Sequence, residues 1–182
     1  MARGNNSLVE PVDLSGLESL MEDLGGAAEE AVRPAAQAGI QVLYDAVKSN
    51  VAAIPRVSGN LASAIYQVYS QANSGPALAT YHVSWNASKA PHGGLVEYGH
   101  WQRYLIVRTK KGPRPAVRPE MQGKPKPRRR ASQAEKDAYY VPRPGGPVYV
   151  PGKAFMRRAM TSFGAASNAS AAVLFEALEK VK

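Results

Sequence analysis

The sequence has no cysteine, and that absence removes disulfides, thiolate metal sites and a cysteine nucleophile at once. It has no apolar run near the roughly 20 residues that cross a bilayer. The N-terminus, MARGNNSLVEPVD, offers no apolar stretch of signal-peptide length before acidic residues begin. The chain is therefore expected to be soluble and cytoplasmic when made, with no membrane partner. Enzyme signatures are missing too. No serine lies in a G-x-S-x-G context, and neither Asp45 nor Asp137 has an evident histidine partner. Gly145 and Gly146 are framed by prolines rather than by a strand and a helix, which argues against a phosphate-cradling loop. His92, Glu97 and His100 form H-x4-E-x2-H, but glycines flank the group and no third strong ligand accompanies a Glu97/His100 pair. No metal, cofactor or catalytic residue is expected, and the chain is not expected to be an enzyme.

What is present is a 182-residue chain that is 45% hydrophobic, enough for one domain with a real core and one sizeable excursion. Its net charge of +9 is local. Between Arg103 and Arg130 eleven Lys or Arg stand against one acid, Glu120, which is +10; the rest of the chain sums to −1. Residues 1–50 lean the other way, with eight acids against Arg3, Arg33 and Lys48. One acidic and one very basic segment suit contacts with different partners, or with DNA at one level.

Periodicity orders the segments. Leu14, Leu17, Leu20, Met21, Leu24, Ala28 and Ala31 recur at helical steps, with Asp13 or Ser15 as a cap and acids early in the helix. Ile40, Leu43, Val47 and Val51 mark a second run. Pro34 between them predicts helices over 14–32 and 35–53, or one bent helix. After a Ser58-Gly59-Asn60 turn, Ile65–Tyr69 alternates as a strand, and Leu78–Trp85 is its partner across the Asn73–Pro76 turn. Residues 94–100 make a short element, and Trp101–Val107 a further strand. From Lys110 to Pro147 proline and glycine displace any periodicity, so 101–150 is expected to be an extended basic arm or loop inserted in a single domain. A helix over roughly 153–181 ends the chain, softened at its centre by Gly164 and Ser167-Asn168. The class predicted is α+β: N-terminal helices and a C-terminal helix packed on a small antiparallel sheet.

Three motifs stand in order: Ser58-Gly59-Asn60-Leu61 after Pro55, Leu95-Val96-Glu97-Tyr98-Gly99-His100, and Pro151-Gly152-Lys153-Ala154-Phe155-Met156-Arg157-Arg158-Ala159. In this order they resemble the gene-product-ten-like family of neck and tail-completion proteins of long-tailed bacteriophages, over about 45–100 and 150–180. The chain departs from that pattern in two places. Some fifty residues separate the second and third motifs, which the family joins almost directly, and His100 stands where Thr or Ser is common.

The resemblance implies a structural virion protein, found in the neck or head-proximal tail end and in the host cytoplasm during assembly. It implies identical subunits in a ring, a hexamer or dodecamer, that serves tail completion, tail termination or neck connection. The neighbours would be the portal-side adaptor, the stopper and the tail tube, with genomic DNA in the lumen as a further candidate. Glu97 stands among apolar neighbours, either as a solvated edge carboxylate or as the partner of an arginine; Glu97, Arg157 and Arg158 are candidate intersubunit contacts. On the arm, Arg108, Lys110, Lys111, Arg114, Arg118, Lys124, Lys126, Arg128, Arg129 and Arg130 are candidate contacts to DNA or to a protein partner. Trp101, Tyr104, Tyr139 and Tyr140 flank them and could stack on bases or anchor the arm. The competing expectation is a nucleic-acid-binding protein that works through the basic 103–130 segment.

Overall fold

The computed structural model describes residues 15–55, 59–109 and 112–181. The turn residue Ser58, the cap Asp13 with Leu14, and the arm lysines Lys110 and Lys111 lie outside the described residues. The class is α+β, with a long N-terminal helix, a C-terminal helix and small antiparallel sheets. The described chain gathers into two compact units.

The first unit holds the chain up to Tyr44, Gln67–Val83 and the segment from Ser162 onward. Helix α1 spans Ser15–Ala52 without interruption, and Pro34 lies inside it. Proline in a helix interior lacks one hydrogen bond and crowds the preceding turn, a cost of about 3 kcal/mol. Close packing on either side of Pro34 opposes that cost. Ala31 and Ala35 are buried, and a Cβ added at Gly39 would strike the Ser170 hydroxyl and lie 3.0 Å from the Ala166 carbonyl oxygen. Small residues thus bring α1 against the last helix. On the hairpin, Tyr69 and Tyr81 face each other with ring centroids 5.2 Å apart. The Arg33 guanidinium sits 4.5 Å over the Tyr69 ring, and Gln67 donates to Gln41 at 2.8 Å.

The second unit holds Asp45–Tyr66 and Ser84–Thr161. The hairpin of β1 (Ile65–Tyr69) and β2 (Tyr81–Trp85) runs through both units. On β1 the predicted alternation holds: Tyr66 and Val68 are exposed while Ile65, Gln67 and Tyr69 are not. Helix α2 (Asn60–Ala64) leads into β1 from Gly59, whose φ of 75° suits glycine. Helix α3 (Gly93–Tyr98) passes directly into β3 (Gly99–Gln102), which pairs antiparallel with β6 (Val148–Pro151). The C-terminal helical region is broken at Met160–Ser162, a 3₁₀ turn between α5 (Phe155–Ala159) and α6 (Phe163–Glu179). Gly164 and Ser167-Asn168 lie within the unbroken α6, so the interruption falls before the residues expected to soften it.

The extended arm expected over 101–150 is not what the structure contains. Strands β4 (Ile106–Thr109) and β5 (Gly112–Pro115) form an antiparallel hairpin, and α4 (Gln133–Tyr139) follows. Backbone bonds tie three stretches side by side: Ala116 donates to Leu105, Leu105 to Val141 and Val141 to Ala116, at 2.8–3.0 Å. Arg118 donates to Tyr139 and Arg143 to Arg103, each at 3.0 Å. Tyr104, Tyr139 and Tyr140 close over this ladder, with Tyr140 in contact with both others at 4.9–5.1 Å and buried. Of the four aromatics that the sequence left as stackers or anchors, these three tyrosines pack on one another, while Trp101 is exposed. The prolines hide the strands because they break any apolar alternation, yet they spare the N–H groups that the ladder uses.

Candidate functional site

The second and third motifs meet, and Glu97 joins them. Helix α5 has no cap of its own: the residue before it, Ala154, sits at φ 49° and makes no side-chain cap bond. Its first N–H groups therefore need an acceptor from elsewhere. The Glu97 carboxylate, carried on α3, accepts from the Met156 N–H at 2.9 Å and from the Arg157 N–H at 3.2 Å. Its Oε1 also faces the Arg157 Nε at 3.2 Å, while the Arg157 Nη2 donates to the Glu97 carbonyl at 3.2 Å. Negative charge at a helix N-terminus, with a guanidinium beside it, is a satisfied buried carboxylate.

Glycines let the backbones come close enough. A Cβ at Gly152 would strike the Glu97 carbonyl oxygen and lie 2.7 Å from both the Gly99 nitrogen and the Tyr98 carbonyl carbon. A Cβ at Gly99, where φ is 82°, would lie 2.6 Å from the Val150 carbonyl oxygen. Lys153 and Ala154 donate to the Val96 and Glu97 carbonyls. Phe155, fully buried, stands edge-on to Trp85 at 5.8 Å, and Asn50 of α1 donates to its carbonyl at 2.9 Å. Glu97 and Phe155 are the two largest fully buried side chains.

Of the three residues expected at a subunit contact, Glu97 is corrected to an internal role. At 1% exposure its carboxylate has no surface left for a second chain. Arg157, with 63% of its side chain exposed, and Arg158 remain open. The Arg157 guanidinium lies 5.4 Å from the Tyr98 ring centre, the Tyr149 hydroxyl donates to the Tyr98 carbonyl at 2.9 Å, and Trp101 and Tyr149 form an exposed ring pair on β3 and β6.

Among the described residues the cations expected on the basic segment are open as well, with one exception. Arg108, Arg114, Lys124, Lys126, Arg128, Arg129 and Arg130 are exposed. Arg118 is turned to its own chain: its Nε lies 3.1 Å from the Asp137 carbonyl and 3.3 Å from that of Tyr140, at the end of α4. In the β4–β5 register Arg108 pairs with Pro113 and Arg114 with Val107, so the two arginines project from opposite faces of the hairpin. The cations therefore do not form one flat stripe.

Among the described residues no group of three or more His, Asp or Glu could hold a metal ion. Glu97 is already engaged by Met156 and Arg157, while the buried Nδ1 of His100 has no hydrogen-bond partner. An open cleft of about 580 Å³ is lined by Val51, Leu61, His92 and Val96 among others, and Gly59 and Asn60 of the first motif lie on its wall.

No family model, curated protein or solved structure matches this chain.

Proposed function

We propose that the chain is a structural, non-enzymatic protein of a tailed bacteriophage, a ring-forming subunit at the head–tail junction. Tail completion or tail termination is the role that the motif order favours. The observation that carries this reading is the Glu97 joint. Two motifs that lie some fifty residues apart are held together by a buried carboxylate, with Gly99 and Gly152 allowing the approach. The intervening segment grows out of the β3–β6 pair as a separately tied excursion. That is what an insertion between two joined motifs of one core requires.

Assembly into a ring is supported by what stays uncovered. Tyr66, Val68, Tyr98, Trp101, Tyr149, Phe163 and Phe175 are all exposed, while most of the buried apolar residues are small. Of these, Trp101 and Tyr149 lie ring to ring at 5.5 Å and the Tyr149 hydroxyl donates to the Tyr98 carbonyl, a contiguous exposed aromatic cluster of the kind that supports contact with another protein. No described helix is long and apolar enough to cross a membrane. The test is a cryo-EM map of the neck of the virion that encodes the chain. A ring of this subunit is expected at the head-proximal end of the tail; purified particles that lack the protein would remove the reading.

A second reading is favoured by the exposed cations. Arg128, Arg129 and Arg130, with Lys124 and Lys126, could follow phosphates without reading bases. Binding of the isolated chain to duplex DNA would then weaken steeply with salt. Replacement of the three arginines with alanine would lower the slope of log affinity against log salt by roughly one for each phosphate no longer neutralised.

A further inference from the structure

Two surfaces of opposite sign lie open on the described chain, and each carries apolar residues. The first is the N-terminal end of α1. Leu17, Leu20 and Met21 share one face at helical spacing and are 53%, 41% and 67% exposed, where a helix packed in its own fold would bury them. Glu18, Glu22, Asp23, Glu29 and Glu30 occupy the remaining faces, none of them buried, and residues 15–30 contain no Lys or Arg. The second is the basic excursion. Leu105, Ile106 and Val107 are exposed on its hairpin, with Arg114 across from Val107 in the register, and Arg128, Arg129 and Arg130 further along the same excursion are exposed as well.

We propose that the acidic, leucine-striped end of α1 docks on the basic excursion of a second copy of this chain. The proposal rests on the ring reading above and names the two faces that meet. Charge selects the pairing. Helix against helix would set five carboxylates against five, and excursion against excursion would oppose two strongly cationic surfaces, so only unlike faces attract. Ionic attraction orients the approach, and Leu17, Leu20 and Met21 then lose water against the apolar stem of the hairpin. A contact between two different patches is heterologous, the kind that passes from copy to copy and closes into a ring when the rotation allows. The acidic start and basic middle of the sequence thus become two halves of one interface.

The test uses the full chain and two charge reversals, E18K/E22K/E29K on the helix and R128E/R129E/R130E on the excursion. Self-association is followed by sedimentation velocity across concentration, with circular dichroism to verify that each variant folds. Each variant alone is expected to associate about tenfold or more weakly than the wild type. Mixed in equal amounts, they are expected to associate again, because each reversed face meets its reversed complement in an alternating assembly. Variants that associate like the wild type would overturn this interface and leave the ring reading standing. Loss in each variant without recovery on mixing would overturn it too. If the arginine reversal removes only binding to duplex DNA, the excursion serves nucleic acid and the proposal is wrong. A wild-type chain that stays monomeric at every concentration would overturn the proposed contact, whereas the ring reading is judged separately on the virion.

Discussion

At the scale of single residues, the molecule turns on Glu97. A carboxylate 1% exposed is tolerable because two backbone N–H groups and a guanidinium satisfy it. Replacing Glu97 with Ala leaves the Met156 and Arg157 N–H groups without their acceptor in a buried site. Urea denaturation should report a loss of about 3 kcal/mol for E97A. E97Q keeps the shape and one acceptor oxygen and should lose less, about 1–2 kcal/mol. An E97A variant as stable as the wild type would show that the joint does not hold the fold. Gly152→Ala is a separate probe of the same place. Its Cβ would meet backbone rather than a movable side chain, so β6 or α3 must shift, at about 1–3 kcal/mol by the same measurement.

At the scale of elements, the excursion holds the most local information, and α4 is its best-defined part. Ser132 and Glu135 form a capping box: the Glu135 N–H donates to the Ser132 hydroxyl at 3.2 Å, and the Ser132 N–H donates to the Glu135 carboxylate at 2.7 Å. Ser132→Ala should weaken α4 by about 1 kcal/mol, read as faster amide exchange over 135–140. The same bonds make α4 sensitive to acid. The Ser132 N–H, and then its hydroxyl, hold the Glu135 pKa below the ordinary glutamate range. The Tyr104 hydroxyl and the Gln133 amide do the same for Asp137. A carboxylate with a depressed folded-state pKa contributes stability above its unfolded value and loses it as pH falls through the folded one. Protection of α4, corrected for intrinsic exchange, should therefore decline below the ordinary carboxylate range and stay flat between neutrality and mild acid. Burial, then the bond to Asp137, raises the Tyr104 pKa, so the hydroxyl remains a donor throughout that window.

For the whole molecule, the balance of covered and uncovered apolar surface sets the expectation. Among the described residues half of the buried apolar side chains are alanines, and Phe155 is the one large apolar side chain that is fully buried. Exposed aromatics lie on β1, β3, β6 and α6, and under the proposed ring reading assembly covers them. Association that occurs only in the folded state stabilises by mass action, about 2.7 kcal/mol at a hundredfold excess over the dissociation constant. For a chain of this length that corresponds to roughly 5–10 °C in melting temperature. Calorimetry at rising protein concentration should show that increase. A melting temperature independent of concentration would separate this chain from a self-associating subunit.

The sequence alone determined the helical periods, the strand at Ile65–Tyr69, the α+β class and the segregation of charge, because each follows from residues near one another along the chain. It placed a helix on both sides of Pro34 but left its continuity open, since small residues packed against α6 are a tertiary fact. It marked Glu97 without saying whether water or arginine faced it; the answer depended on a helix start some sixty residues away that lacks its own cap. The 101–150 segment was the least legible. Its strands are short, proline-broken and tied by backbone bonds across sequence gaps, so neither apolar alternation nor composition carries their signal. Arg118 looked like its basic neighbours until the fold bent it back to the end of α4. Pattern along the chain records what each stretch prefers; only the closed structure decides which buried groups find partners at a distance.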